Sequence, residues 1–224
     1  VPFVSPCNML RDKVPVYLDE VRRLQSVYAG QIHFYASMEI DYIGPEWGPA
    51  TDYFRELPLD YRIGSVHFIP SDCGPIDIDG HFDSFRQKMS RYFHDDIRYV
   101  VESFYRQSVD MVNAGHFDII GHFDKIGHNA GHFCDGVEDE PWYKSAVNDL
   151  IDLIIDKGVV VELNTKAWRE HGRMFPGKRY LDRLVQAHVP IVVNSDVHVP
   201  ALINAGRDEA FAMLDELHYR FPVS

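Results

Sequence analysis

The sequence lacks long hydrophobic runs, paired cysteines and an excess of basic residues, and each absence excludes a class of protein. Apolar runs such as residues 153–155 and 191–193 are far too short to cross a bilayer, so we expect no transmembrane segment. The chain has only three cysteines, Cys7, Cys73 and Cys134, whose wide spacing is typical of a cytoplasmic protein without a disulfide framework. Lysine and arginine number 22 against 34 acidic residues, and the resulting net charge of −12 repels phosphate backbones. We therefore expect neither nucleic acid nor a membrane as a partner.

What is present is an ordinary globular composition. Of the 224 residues, 46% are hydrophobic and 25% are charged, which excludes disordered and low-complexity proteins. At this length we expect one domain over residues 1–224. The sequence begins with Val1 and no signal-peptide pattern follows, so we expect the true N-terminus to lie upstream.

Short β-branched runs alternate with amphipathic segments along the chain, and this alternation predicts an α/β fold built on parallel strands. We predict strands over residues 32–40, 63–69, 117–122, 159–163 and 191–193. Helices are predicted over residues 15–28, 95–113, 141–157, 180–188 and 207–219, and a long polar loop over residues 125–140.

Five potential metal ligands stand at the carboxyl ends of these predicted strands: Glu39, His67, His122, Asp196 and His198. In parallel α/β folds these strand ends face one shared crevice. Imidazole and carboxylate groups together bind zinc, manganese or iron, so the pattern predicts a divalent metal site. Each residue taken alone has another explanation, such as a rim glutamate, a core histidine or a turn aspartate, and only their convergence favours a metal site.

Five segments, residues 38–42, 64–68, 118–124, 162–165 and 194–198, resemble the PHP (polymerase and histidinol phosphatase) superfamily in order and spacing, and more narrowly its histidinol-phosphatase branch. The resemblance implies a distorted (β/α)7 barrel, here lacking its first βα units, with up to three metal ions in the complete protein. On that pattern Glu39 bridges two metals, His67 and His122 complete one, Asp196 binds the other, and His198 binds the third. The family's N-terminal His-x-His motif does not occur in this sequence.

The activity implied by the resemblance is hydrolysis of L-histidinol phosphate to L-histidinol and phosphate, in histidine biosynthesis, by a metal-activated hydroxide. We expect Glu39, Asp196 and His198 to be catalytic as well as metal ligands. The phosphate also needs cations, for which Lys166 is the first candidate. Asp124 either protonates the leaving group or orients His122. The other candidate phosphate-binding residues are Arg173, Lys178, Arg179 and Arg207.

Three alternatives stay open at the level of sequence. The chain could be a PHP hydrolase acting on another phosphate ester, because the metal ligands do not select the ester. It could be a non-catalytic relative that has lost metals together with the His-x-His motif. An amidohydrolase-type barrel that cleaves C–N bonds fits less well, because no metal-ligating lysine pattern is visible. The sequence makes no prediction of oligomeric state.

Overall fold

A parallel sheet lies at the centre of the computed structural model, which describes residues 3, 5 and 8–221. Its five strands are β1 (Ser37–Asp41), β2 (Tyr61–Ser65), β5 (Ile119–Ile120), β6 (Val160–Asn164) and β7 (Ile191–Asn194), hydrogen-bonded in that order. A separate antiparallel hairpin, β3 (Phe68–Ser71) and β4 (Gly74–Asp77), is inserted between β2 and β5.

Nine α-helices connect and cover the strands of the described part of the chain. They are α1 (Val14–Val27), α2 (Asp52–Glu56), α3 (Phe82–Tyr92), α4 (Ile97–Ala114), α5 (Ile126–Phe133), α6 (Pro141–Lys157), α7 (Trp168–His171), α8 (Lys178–Gln186) and α9 (Arg207–Glu216). None of the described helices is both long and apolar enough to span a bilayer.

The order of the central strands follows the order of the chain. All four neighbouring pairs are parallel, and the order never reverses along the sheet. A doubly wound sheet has a reversal point, whereas sequential winding is the topology of a (β/α) barrel wall. The predicted α/β fold on parallel strands is therefore confirmed, and among residues 8–221 β1 and β7 form the two edges of this sheet.

Helices α4 and α6 fill one side of the main core, and their sequences explain both their bounds and their packing. The Asp96 carboxylate accepts a hydrogen bond from Tyr99 N at 2.9 Å and caps α4, while Gly115 ends this helix with a φ of +70°. Across the helix pair, the buried rings of Tyr105 and Tyr143 pack edge to face, with their hydroxyl groups 3.0 Å apart. Both predicted helices are confirmed.

Four local predictions are wrong in part. Of the predicted strand 117–122, only Ile119–Ile120 form β5. Only the last residues of the predicted strand 32–40 belong to β1. The predicted strand 63–69 is interrupted between Ser65 and Phe68, so His67 lies outside the hydrogen-bonded strands. The predicted loop 125–140 contains α5. This helix has two glycines and low intrinsic propensity, but it buries Ile126 and Ala130 in the main core, and tertiary packing overrides propensity.

Two of the three cysteines belong to the described part of the chain. Cys73 and Cys134 are exposed and free, and Cys7 lies outside the described residues.

Candidate metal centre

Three side chains from adjacent strands meet at the carboxyl end of the sheet. Glu39 belongs to β1, His67 follows β2 and His122 follows β5, and the register aligns Glu39 with Ile63. Glu39 Oε1 lies 3.0 Å from His122 Nε2 and 3.7 Å from His67 Nε2, and the two Nε2 atoms are 3.2 Å apart. Among the residues that the structure describes, these three form the one group of three or more His, Cys, Asp or Glu side chains whose ligand atoms all lie within 4.8 Å of one another.

The tautomer of His67 shows why these atoms fit a cation. Its Nδ1 lies 2.7 Å from Asp41 Oδ1, so the proton of the neutral ring sits on Nδ1 and is donated to this carboxylate. The Nε2 lone pair then points toward His122 Nε2 and the carboxylate of Glu39. With both Nε2 atoms deprotonated, three electron-pair donors lie close enough together to share a divalent cation. A carboxylate behind the ring, as Asp41 is here, is the usual support of a histidine ligand.

The charges around the group favour a bound cation as well. Burial alone would lower the pKa of His67, but its hydrogen bond to Asp41 and the negative charges of Glu39 and Asp41 raise this pKa to about 9. Burial alone would raise the pKa of Glu39, but the hydrogen bond from His122 and the charges of both histidines hold it well below its usual range. Without a metal ion, His122 Nε2 carries the proton that it donates to Glu39, and His67 Nε2 binds a proton as well. Metal binding displaces both protons, because the ion needs the same two lone pairs.

A buried polar network fixes the backbone that carries His122. Glu162 Oε2 accepts a hydrogen bond from His122 N at 3.0 Å, and its Oε1 accepts one from Asn194 Nδ2 at 3.0 Å. Gly121 has no room for a side chain, because a Cβ there would collide with Ser65 Oγ. The strand end is thus positioned by contacts from three neighbouring strands. The role of Glu162 was not predicted from the sequence, because its partners are distant along the chain.

The two remaining predicted ligands, Asp196 and His198, follow β7 and line the same cavity as Glu39 and His67, a cleft of about 410 Å³. Asp196 has a φ of +44°, and its Oδ2 accepts hydrogen bonds from Asn164 Nδ2 and Lys166 Nζ. The His198 ring is mostly exposed, with Nδ1 at 3.0 Å from the carbonyl oxygen of Asp196. These two residues lie outside the group of three, at the same end of the sheet.

Of the five predicted phosphate-binding cations, the structure places Lys166 on the cavity wall and the other four away from it. Each of the four has another partner. Arg173 Nη1 pairs with Glu138 at 2.8 Å, and Arg179 approaches the same carboxylate at 3.5 Å. The ammonium of Lys178 pairs with Glu216 at 2.9 Å, and the guanidinium of Arg207 lies over the ring of Phe211.

Asp124 and Lys125, neighbours in sequence, have different environments. Asp124 is fully buried, where it accepts a hydrogen bond from Gly177 N, and burial raises its pKa to about 6. It is not among the residues that line the cavity. Lys125 does line the cavity and was not predicted, although it follows a strand end as Lys166 does.

Comparison with known proteins finds relatives that are named as histidinol-phosphatases. A histidinol-phosphatase of Deinococcus radiodurans, named as probable, is 26% identical over 204 residues, which cover 88% of this chain and 70% of the relative. Its counterpart in Schizosaccharomyces pombe, named in the same way, is 26% identical over 214 residues, covering 89% of this chain and 65% of the relative. The chain thus spans about two thirds of the length of these relatives.

Two solved structures share the fold. The crystal structure of the hisK protein of Listeria monocytogenes matches with a TM-score of 0.76 and 18% identity, over 90% of this chain and 77% of that one. The histidinol phosphate phosphatase of Lactococcus lactis, crystallised with zinc, L-histidinol and phosphate, matches with a TM-score of 0.65 and 16% identity, over 93% and 75% of the two chains. These similarities show that the chain shares the α/β fold of these two proteins.

The family itself follows from the sequence match. The model of the PHP domain covers residues 7–166, which is well over half of the chain and includes Glu39, His67 and His122. Asp196 and His198 lie beyond the matched residues. The resemblance found in the sequence motifs is confirmed, and the chain belongs to the PHP domain family.

Proposed function

We propose that this chain carries the active site of a metal-dependent phosphomonoesterase that hydrolyses L-histidinol phosphate to L-histidinol and phosphate. The observation that carries the proposal is the group of Glu39, His67 and His122, whose ligand atoms lie 3.0 to 3.7 Å apart at the carboxyl end of a parallel sheet. Membership of the PHP domain family supports it.

The metal is zinc, manganese or iron, held by Glu39, His67 and His122, with Asp196 and His198 as ligands of further ions, up to three in all. When bound, a divalent metal lowers the pKa of water and neutralises charge on a phosphoryl oxygen. The chain's own residues prepare the site. Asp41 orients His67, and the network around Glu162 holds the backbone of His122 in place.

The substrate is a small phosphate ester. The cavity of about 410 Å³ has the size of a small-molecule site, and Lys166 on its wall supplies positive charge to the phosphoryl group. Both curated relatives are named histidinol-phosphatases, and the Lactococcus lactis enzyme was crystallised with L-histidinol and phosphate. These names favour L-histidinol phosphate and a place in histidine biosynthesis. The free thiols of Cys73 and Cys134 favour the cytoplasm.

The test is phosphate release from L-histidinol phosphate by the purified protein with zinc or manganese. We expect turnover by the wild type and a loss of more than about 100-fold in kcat/KM for Glu39→Gln and for Asp196→Ala, because each removes a ligand. Glu20→Gln, on the exposed face of α1, is the matched control and should keep full activity. Normal turnover by Glu39→Gln would refute the assignment of the metal centre. If the protein hydrolyses other phosphate esters but not L-histidinol phosphate, the proposed substrate is wrong and the proposed phosphatase activity stands.

A further inference from the structure

Lys125 is a cavity residue that the metal centre does not use. It follows β5 by a few residues, at the start of α5, and its ammonium group forms an ion pair with Asp79 at 2.7 Å, an aspartate that follows the hairpin strand β4. Lys125 and Asp79 line the same cavity as Glu39, His67 and Lys166. The Lys125 side chain is only 18% exposed, so its charge is directed inward rather than toward bulk water.

The ammonium group of Lys125 stays charged at neutral pH. Burial alone would lower its pKa, but the charge and hydrogen bond of Asp79, and the charges of Asp196 and Glu39, raise the pKa of Lys125 above its ordinary value. The positive charge of Lys125 in turn acts to lower the pKa of His67. The ammonium group is therefore within electrostatic reach of acidic groups from β1 and from the loop after β7.

Within the described part of the chain, Lys125 and Lys166 are the only lysine or arginine residues on the cavity wall. Each is paired with a single carboxylate, Lys125 with Asp79 and Lys166 with Asp196. An ammonium group has three protons to donate, and one carboxylate oxygen within 3.2 Å leaves protons free for a second anion. A phosphate dianion needs such donors in addition to metal ions.

We propose that Lys125 binds the phosphoryl oxygens of the substrate and that Asp79 is the positioning residue that holds its ammonium group at the cavity wall. This inference rests on the proposed phosphatase activity. In the hydrolysis, the bond from phosphorus to the ester oxygen breaks and a bond from phosphorus to the water oxygen forms, while the proton lost by water ends on the released alcohol. Lys125 keeps its proton and forms no covalent bond, and its contribution is to neutralise charge on the phosphoryl oxygens.

A second lysine provides a matched control. Lys88 pairs with Asp77 at 3.2 Å, and its side chain is 23% exposed, close to the value for Lys125. Both partners, Asp77 and Asp79, belong to the same hairpin end and line the cavity, but Lys88 does not. Removing the charge of Lys88 therefore breaks a comparable ion pair without removing a cation from the cavity.

The experiment compares wild type, Lys125→Gln, Lys125→Arg and Lys88→Gln, all loaded with zinc. Affinity for inorganic phosphate is measured by calorimetry, and kcat and KM are measured with L-histidinol phosphate and with p-nitrophenyl phosphate. We expect Lys125→Gln to weaken phosphate binding and to lower kcat/KM for both esters by about 10- to 100-fold, the loss of one charge-assisted hydrogen bond. Lys125→Arg should recover most of this loss, and Lys88→Gln should stay within about twofold of wild type.

Three results would overturn the inference: no phosphate binding by the wild type, a Lys125→Gln variant that binds phosphate as the wild type does, or an equal loss in Lys88→Gln. A wild type that hydrolyses neither ester refutes the proposed function instead, and phosphate affinity then decides the role of Lys125 alone. Glutamine can still donate a hydrogen bond to Asp79, which protects the fold. If Lys125→Gln does not fold, the double variant with Asp79→Asn, which leaves no unpaired charge, replaces it.

Discussion

Asp41 determines which nitrogen of His67 is available to a metal ion. The carboxylate is buried, with Oδ1 at 2.7 Å from His67 Nδ1 and Oδ2 accepting a hydrogen bond from Asn8 Nδ2 at 3.0 Å. Because both of its oxygens are engaged, the carboxylate cannot rotate freely, and the imidazole ring is held with Nε2 toward Glu39. Asp41 also stands two residues after Glu39 on β1, so a single strand provides a ligand and the support of its neighbour.

Replacing Asp41 by asparagine should therefore weaken metal binding without unfolding the protein. The amide oxygen can still accept a hydrogen bond from His67, but the negative charge that makes the ring a stronger donor is lost. We expect a loss of about 10- to 100-fold in zinc affinity, measured by competition with a chromogenic chelator. Asp60→Asn serves as the control, since Asp60 accepts a hydrogen bond from Ala36 N before the start of β1, away from the ligands. Equal zinc affinity in Asp41→Asn and wild type would contradict this role.

Two glycines, one inside α5 and one directly after α6, differ in whether the backbone conformation requires glycine. Gly158 ends α6 with a φ of +64°, a conformation that L-residues rarely adopt, and no atom lies within 4 Å of the position of a Cβ. Gly131 lies inside α5 with ordinary helical backbone, and a Cβ there would meet only Glu138 Oε1 at 3.5 Å, an ordinary contact. The first glycine is required by the backbone and the second is not.

Gly158→Ala should thus destabilise the protein by about 1 to 2 kcal/mol, because a Cβ is strained in the left-handed region. Gly131→Ala should stabilise it by up to about 1 kcal/mol, because alanine favours the helix and restricts the unfolded chain. Urea unfolding measures both changes in the free energy of unfolding, and zinc affinity should stay constant in each variant. A neutral Gly158→Ala would show that the helix end relaxes out of the left-handed conformation.

Among the helices, sequence periodicity predicted those whose bounds are set by neighbouring residues. The stripes of α4 and α6 are long, regular and bounded by a cap residue or glycine, so both helices were found with nearly their true ends. Helix α5 was missed because its glycines and histidines carry no helical signal. Its stability comes from the burial of Ile126 and Ala130 in the main core, which only the assembled structure shows.

For the whole molecule, the metal centre joins parts of the chain that are far apart in sequence. Glu39, His67 and His122 come from β1 and from the segments after β2 and β5, so one bound ion would link three neighbouring strands. The unfolded chain cannot present these atoms together. Any ion bound there stabilises the native state relative to the unfolded state.

Zinc should accordingly raise the melting temperature, and a chelator should lower it again. At a free zinc concentration about 100 times the dissociation constant, the expected gain is about 2.7 kcal/mol. Differential scanning calorimetry of wild type and Glu39→Gln, each with and without zinc, measures the effect. The variant should lose most of the shift, because it lacks one of the three ligands. A zinc-dependent shift of the same size in Glu39→Gln would place the stabilising ion elsewhere on the protein.

The sequence by itself determined the alternation of strands and helices, and it marked the five acidic and imidazole side chains at or just after the carboxyl halves of the strands. These signals are local, because hydrophobic period and strand-end position are set by neighbouring residues. The tertiary structure alone decided which cations face the cavity. Arg173 and Arg179 pair with Glu138, outside the cavity. Lys178 pairs with Glu216, and both carboxylates are distant from their partners along the chain. Lys125 is held at the cavity by Asp79, 46 residues before it, because ion pairs form between groups that folding brings together.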